Sequence, residues 1–465
     1  MAATQTAARI VIAGTGGDTG KTLVSMGLVA LWRQRGLKVA VFKKGPDYID
    51  AAWLEFASGT PARNLDTYMM GAEAVAASFV RHSRSADVSL IEGNRGLFDG
   101  VDTQGTHSTA ELAKLLNAPV ILLQDVTKVT RTAAAAVLGC LQLDPQVQVA
   151  GVILNRVAGP RHERVVRESI ESICGVPVIG AIPRISGENV LPGRHLGLVT
   201  PQEHSGVEGL KEKTAEIVER HVDIDRILAI ARQVPALSQE PRSEKKVRPS
   251  SSAVRLAYFK DSAFNFYYQD NLEALQAAGA ELIPVSSLQR DTLPPCDGLY
   301  IGGGFPETHA EQLSRNRSLL ADVKRKAVAG LPIFAECGGL IYLCHSIAFH
   351  HNVYPLSDVF PVDLQMMAKP QGHGYMEVEV DTDNPYFPRG SRIRGHEFHY
   401  SRVIAGWEQV KSIYAVNRGE GCLNHRDGLL FGNVLASYLH LHAAGVPEWA
   451  DNFVQVARDH QNHRT

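Results

Sequence analysis

Two groups of residues, far apart in the chain, have the types and spacing from which chemistry is built. The first is Gly14-Thr15-Gly16-Gly17-Asp18-Thr19-Gly20-Lys21-Thr22, which follows the strand-like run Ala8 to Ala13 and precedes a helical pattern. In such a loop the backbone N–H groups and the helix start cradle phosphate oxygens, the lysine neutralises β/γ charge, and the Ser/Thr hydroxyl reaches Mg²⁺. Gly16, Gly17, Gly20, Lys21 and Thr22 are therefore expected around the phosphates of ATP. The strict pattern GxxxxGK[ST] is missed by one position, because Thr15 stands where the first glycine belongs and Gly14 precedes it. The second group is Ile333-Phe334-Ala335-Glu336-Cys337-Gly338-Gly339, read as a cysteine on a sharp strand-to-helix turn. Small residues after a nucleophile admit substrate, and a helix start stabilises thiolate.

Around each group the sequence offers helpers. Lys43, Asp47, Glu92 and Asp99 fall at the ends of strand-like runs, where open α/β sheets place their ligands. Glu92 is a hard oxygen ligand for Mg²⁺ or its water beside phosphate. Asn155, after Gly151-Val152-Ile153-Leu154, reads equally as a contact to the adenine edge or as a loop cap. For the thiol, Gly303 and Gly304 after strand-like Gly298 to Ile301, together with Gly338, supply backbone donors for an oxyanion. A base comes from Ala436-Ser437-Tyr438-Leu439-His440-Leu441-His442, where His440 and His442 share one face of an extended segment. His396 and His399 invite a metal reading, but without a third clustered ligand packing is the stronger one.

These residues need a scaffold, and the chain supplies two. At 465 residues it exceeds the ~250–300 at which a single core splits, so two domains are expected. Val39 to Phe42, Val88 to Ile91, Pro119 to Leu123, Gly151 to Leu154 and Val178 to Ala181 are nearly continuous apolar runs, as strands buried on both faces of a parallel sheet are. Helical stretches alternate with them, which predicts a doubly wound sheet. Residues 238–252, polar and interrupted by proline, read as a linker between an ATP-binding domain, 1–237, and a second α/β domain, 253–465. A formal charge of −2 gives no reason to invoke nucleic acid or an anionic membrane. Six scattered cysteines without a CxxC pair, an N-terminus without a signal pattern and the lack of a ~20-residue apolar run point to a cytoplasmic protein.

A nucleotide site and a hydrolytic cysteine in one polypeptide suggest two coupled half-reactions, as in glutamine-dependent amide synthesis. The segments Phe42-Lys43-Lys44-Gly45-Pro46-Asp47-Tyr48-Ile49-Asp50, Arg63-Asn64-Leu65-Asp66, Glu92-Gly93-Asn94-Arg95-Gly96-Leu97-Phe98-Asp99-Gly100 and Ala150 to Val157 resemble the cobyrinic acid a,c-diamide synthase family. The ending Leu439-His440-Leu441-His442 is similar to that of the cobyrinate amidase type of glutamine amidotransferase. The resemblance covers nearly the whole chain. It implies an N-terminal P-loop domain akin to dethiobiotin synthetase, whose Gly-Thr-x4-Gly-Lys-Thr loop accounts for Thr15, and a C-terminal flavodoxin-like class I glutamine amidotransferase domain.

The implied chemistry is phosphorylation of a tetrapyrrole carboxylate by ATP, with Thr22, Asp47 and Glu92 holding Mg²⁺ directly or through water, then displacement by ammonia from glutamine. Cys337 would attack the glutamine amide and His440 shuttle the proton, while the family's further glutamate is here His442. Tyr48, Arg63, Asp66, Arg95 and Asp99 would meet the acceptor. Ala51-Ala52-Trp53-Leu54 and Asn94-Arg95 depart from the family pattern beside that pocket, which keeps sirohydrochlorin, nickel-sirohydrochlorin and sirohaem open as alternative acceptors. A homodimer is the assembly to test. A MinD-like regulatory ATPase switch is the competing reading from another class, and the Cys337 and His440 pair argues against it.

Overall fold

The computed structural model describes residues 7–185, 193–194, 197–198, 200–201, 207–237 and 253–464. The expected linker, 238–252, lies outside the described residues. The chain divides into two compact units, one running to Arg242 and one from Ser243 onward that also takes in Tyr68–Met70. Among the described residues no helix is long and apolar enough to cross a membrane.

The first unit is a seven-stranded sheet made of β1 Arg9–Gly14, β2 Val39–Lys44, β3 Arg63–Leu65, β4 Val88–Gly96, β5 Val120–Asp125, β6 Val149–Val157 and β7 Val178–Pro183, in the order β3-β2-β4-β1-β5-β6-β7. Every pairing is parallel. Such pairing needs crossovers, which α1 Lys21–Gln34, α2 Tyr48–Ser58, α3 Ala72–Ser83, α4 Thr109–Leu115, α5 Thr132–Leu143 and α6 Pro160–Cys174 supply; α7 Glu208–His221 and α8 Ile224–Arg232 follow, after a two-residue ladder of β8 Gly193–Arg194 and β9 Gly197–Leu198. From the central β1 the chain proceeds first toward β2 and later toward β5, so the strand order reverses beside β1. Ligands of open parallel sheets sit outside the strand C-termini at such a reversal, and the glycine-rich loop lies there.

Alternation along β2 decides which side chains face which layer. Val39 and Val41 enter the core shared with α1 and α2, so Lys43 emerges on that face, while Phe42 packs on Phe79 of α3 with ring centroids 4.9 Å apart. Lys43 is in register with Glu92 of β4, and Phe42 with Arg63 of β3.

The second unit carries a ten-stranded mixed sheet in the order β11-β10-β12-β13-β22-β21-β20-β17-β18-β23. Its parallel half comprises β10 Val254–Phe259, β11 Ala280–Val285, β12 Gly298–Ile301, β13 Ile333–Glu336 and β22 Val434–Ser437, with α9 Gln269–Ala277 between β10 and β11, and α10 Ala310–Arg315 and α11 Arg317–Val328 between β12 and β13. A separate four-stranded sheet contains β14 Cys344–Phe349, β15 Asn352–Pro355, β16 Phe360–Met366 and β19 Ser401–Ala405. The antiparallel half adds β17 Gly372–Val380, β18 Arg392–His399, β20 Lys411–Arg418, β21 Arg426–Phe431 and β23 His440–Leu441. Only Tyr438 and Leu439 separate β22 from β23, yet five strand-to-strand steps lie between them in the sheet. The six strands from β22 to β23 must therefore curl back on themselves, which returns His440 toward the end of β13 where Cys337 stands.

Candidate active sites of the two units

In the first unit, the one-position shift of the loop pattern has a steric cause. A Cβ on Gly14 would lie 2.2 Å from Thr19 Oγ1 and 2.8 Å from the Gly16 carbonyl oxygen. The close approach that needs glycine thus falls on residue 14, and Thr15 tolerates its side chain. Gly20 takes a left-handed conformation, φ 95°, and no side chain caps the first turn of α1, the arrangement in which phosphate oxygens take the orphan N–H groups. Lys21 Nζ donates to the carbonyl oxygens of Gly16 at 2.9 Å and Arg95 at 2.8 Å. Burial, followed by the charge of Lys43, lowers its pKa.

Beside it lies a buried ionic cluster. Lys43 Nζ donates to Asp50 Oδ2 at 2.6 Å, Glu92 Oε1 at 2.9 Å and the Gly93 carbonyl at 3.0 Å. Thr22 Oγ1 donates to Glu92 Oε1 at 3.0 Å and to Asp50 Oδ1 at 3.3 Å. Burial opposes charge on Lys43, but Asp50 and Glu92 outweigh it and raise its pKa. Burial likewise opposes charge on Asp50, and Lys43 reverses the sign there and lowers its pKa. Glu92 is raised, by burial first and by Asp50 beside it. Two carboxylates share one ammonium, so the cluster has room for more positive charge. Glu92 Oε2 is also buried without a hydrogen-bond partner.

The sequence expected Asp47 in this group, and the structure places Asp50 there. Asp47 caps α2, with Oδ1 accepting from Ile49 N at 2.8 Å and Asp50 N at 2.9 Å; burial, then Asp50, pushes its pKa up to about 6. The signal for Asp50 was present, since an acid three residues after a capping Asp lies over the helix start. Asn155 Nδ2 donates to the Thr19 carbonyl at 2.8 Å, so its amide braces the phosphate loop. Tyr48 begins α2. Arg95 is exposed, with φ 49°. Lys44, buried and not singled out in the sequence, has its pKa lowered by burial, with Asp66 opposing and Lys43 and Arg95 adding to the shift. Asp99 accepts from Gly96 N at 2.8 Å. Arg63 lies across the sheet from Lys43 and lines a cavity of about 260 Å³ with Arg33, Lys38, Thr60 and His82.

In the second unit, Cys337 has φ 48° and ψ −97°, a conformation costing about 1–3 kcal/mol for a residue with a Cβ. It joins β13 to a short helix, α12 Gly338–Leu343, in the manner of a nucleophile elbow. Its N–H donates to the Ser437 carbonyl at 2.7 Å, holding the elbow to β22. A Cβ on Gly338 would sit 3.1 Å from Gly304 N, and one on Gly303 would sit 2.6 Å from His440 Cε1 and 3.3 Å from its Nε2. The Gly303-Gly304 turn is thus pressed between the start of α12 and the imidazole of His440. Elbow, glycine turn and imidazole meet at one place. His442 is turned elsewhere, its ring 5.0 Å from that of Tyr268 and its Nδ1 accepting from Ala444 N.

Electrostatically this site is the reverse of the first. Burial raises the Cys337 thiol pKa, with Glu307 and Glu336 adding to it, and burial pushes His440 down to about 3. Glu336, whose role the sequence did not indicate, is pushed up to about 7 by burial, against hydrogen bonds from Leu441 N and Tyr300. Asp427 accepts from Tyr438 N and Leu439 N at 3.1–3.2 Å and so pins the connection that carries His440. Neither the imidazole of His396, stacked 4.7 Å from that of His440, nor His399 forms part of a metal cage: among the described residues no group of three or more His, Cys, Asp or Glu could hold an ion.

Comparison with known proteins matches each unit to a domain family and nearly the whole chain to curated relatives. Residues 10–199 match the CobQ/CobB/MinD/ParA nucleotide binding domain, and residues 255–447 match the CobB/CobQ-like glutamine amidotransferase domain. The cobyrinate a,c-diamide synthase of Magnetococcus marinus is 44% identical over 455 residues, covering 97% of each chain. Those of Dehalococcoides mccartyi strain CBDB1 and Archaeoglobus fulgidus are 42% and 41% identical, covering 97% of this chain and 98% and 97% of theirs. With a nucleotide-binding unit, an amidotransferase unit and relatives matched from end to end, the chain belongs to the cobyrinate a,c-diamide synthase family of glutamine-dependent amide ligases.

Proposed function

We propose that the chain uses ATP to activate the a and c acetate carboxylates of a cobyrinic-acid-type tetrapyrrole and replaces the activated oxygen with ammonia released from glutamine, a step of cobalamin synthesis. The observation that carries the reading is the pairing of a charge-dense Lys43 cluster beside a phosphate loop with a strained cysteine that shares a glycine turn with a histidine. In the first unit a carboxylate oxygen attacks the γ-phosphorus, ADP leaves, and ammonia then displaces phosphate from the acyl phosphate. Lys21 and Lys43 stabilise charge on the transferring group.

The residues present fit Mg²⁺. Thr22 Oγ1, Asp50 and the unpartnered Oε2 of Glu92 are hard oxygens beside a phosphate loop, and Mg²⁺ takes one or two carboxylates plus phosphate oxygens. Bound there, the ion would supply charge neutralisation at the phosphates. Asp47 keeps the role of aligning Asp50 through the cap of α2.

In the second unit the Cys337 thiol passes its proton to His440 as sulfur attacks the glutamine amide carbon, with the Gly303, Gly304 and Gly338 backbone around the oxyanion. The proton then goes to the departing nitrogen, which leaves as ammonia, and water hydrolyses the thioester to glutamate. Tyr48, Asp66 and Arg95 are assigned to the acceptor. Arg63, across the sheet, and Asp99, engaged with Gly96, are not.

A second reading concerns the ring. An exposed Arg95 near the buried ammonium of Lys44 is suited to a carboxylate or propionate of a less decorated macrocycle, such as sirohydrochlorin, nickel-sirohydrochlorin or sirohaem. Mass spectrometry after incubation with each tetrapyrrole, ATP, Mg²⁺ and glutamine decides between them. Conversion of cobyrinic acid alone, unchanged in Arg95→Met, removes the second reading, and no conversion of any ring removes both.

A further inference from the structure

The base of the thiol site has a chemical difficulty. Burial leaves His440 neutral and weakly basic and leaves Cys337 a thiol, so transfer of the proton between them is uphill unless something stabilises the imidazolium as it forms. In hydrolytic triads a carboxylate on the far ring nitrogen does this. The residue two places after the histidine here is His442, which cannot.

Glu336 stands where such a group is needed. It ends β13, immediately before the nucleophile, and strand alternation directs its side chain to the face opposite that of Ala335. Its Oε2 lies 3.9 Å from His440 Nδ1, both side chains being at most 2% exposed. Its Oε1 accepts from the backbone N–H of Leu441, the residue after His440, at 3.1 Å. Tyr300 donates to Oε2 at 2.8 Å. The carboxylate is therefore bonded to the strand that carries the imidazole and aimed at its Nδ1, while Nε2 faces Gly303.

We propose that Glu336 is the positioning acid of the glutamine site, holding His440 in the tautomer with hydrogen on Nδ1 and stabilising its protonated form while Cys337 attacks. This rests on the glutaminase reading of Cys337 and His440. The 3.9 Å separation exceeds hydrogen-bond length, as such contacts commonly do before substrate binds, and a small rotation of either side chain closes it. Placing the nucleophile and its positioning acid at adjacent positions of one strand end puts their side chains on opposite faces, so the acid reaches the base from behind. The other groups facing Glu336 are Tyr300 of β12, Tyr414 of β20 and Tyr267 before α9. Burial raises all three tyrosines well above their ordinary value, so none titrates with it near neutrality.

The test is glutamine hydrolysis, kcat and KM separately, across pH 5 to 9. In the unsubstituted protein activity should rise as Glu336 ionises near pH 7. Glu336→Gln should lower kcat by about 10²–10⁴-fold with little change in KM, and remove that limb. Tyr300→Phe, which deletes a hydrogen bond to the carboxylate, should move the limb to higher pH with a smaller loss. Amide formation from ammonium salts serves as the folding control, since it does not use the glutamine site. Unchanged kcat and pH limb in Glu336→Gln, or a limb unmoved in Tyr300→Phe, overturns the proposal while leaving the glutaminase reading standing. Glutamine-driven turnover surviving Cys337→Ala overturns that reading itself.

Discussion

Around Lys43 the first unit holds two carboxylates at 2.6 and 2.9 Å from one ammonium, whereas around Cys337 the second unit holds a thiol, an imidazole and a carboxyl group that burial drives toward their neutral forms. Both sites are buried, so the difference lies in compensation: opposite charges within hydrogen-bond reach outweigh desolvation at Lys43 and Asp50 of the first, whereas burial prevails at the three groups of the second. The reactions proposed for the two sites differ in the same sense. Phosphoryl transfer handles charge that exists throughout, and a fixed array of cations suits it. A thiol need become charged only when glutamine is bound, and a neutral resting site confines the reactive thiolate to that moment.

The sharpest break between the two sites is Cys337→Ala. It should abolish amidation driven by glutamine and leave amidation driven by ammonium salts, measured as amide product with each nitrogen source. Lys21→Ala should lose product with both sources by about 10²–10³-fold, because the missing charge acts on phosphate. Rescue of that variant by ammonium to the original rate would show that the loop does not serve the transfer.

Stability offers a third comparison. Lys43→Met leaves Asp50 and Glu92 buried without their cation and should cost about 3–5 kcal/mol in urea unfolding, more at pH 8 than at pH 5, since protonation relieves the stranded carboxylates. A change below 1 kcal/mol would mean that the cluster relaxes or takes up solvent. In the phosphate loop, Gly14→Ala should weaken ATP binding by at least about tenfold, because its Cβ meets Thr19 Oγ1 at 2.2 Å, and Thr15→Gly should leave it nearly unchanged. Equal effects would place the tight approach elsewhere.

The smallest expected effect is the linkage of Glu336 to stability. Its pKa rises from 4.5 to about 7 in the folded state, so its contribution is fully present below 4.5 and is lost as pH climbs through 7. Glu336→Gln should flatten that slope in urea titrations of the chain. A slope unaltered by the substitution would assign the pH dependence to other groups, Asp427 among them, which burial pushes up to about 6.

Much of the candidate site was legible because some residue types have narrow uses. Glycines before a lysine and threonine, at the end of an apolar strand, announce a phosphate loop, and a cysteine before two glycines announces an elbow. What went unread was which of several similar acids faces the lysine. Asp47 and Asp50 differ by three positions, and the helix cap claims one and presents the other to Lys43. Arg63 shares a motif with Asn64, yet strand alternation sends Asn64 toward the Gly45 and Asp47 carbonyls and Arg63 to the opposite face.

Sequence by itself determined the local chemistry and the parallel architecture of the first unit, because loop geometry, helix starts and apolar strand runs depend on residues near one another in the chain. Tertiary structure alone decided that the sheet of the second unit curls until β23 meets β18, which returns His440 to Gly303 and brings its Nδ1 within 3.9 Å of Glu336. More than a hundred positions separate Glu336 from His440. No local pattern encodes such a meeting, since it follows from strand order and register, which are settled only when the two halves of the sheet pack.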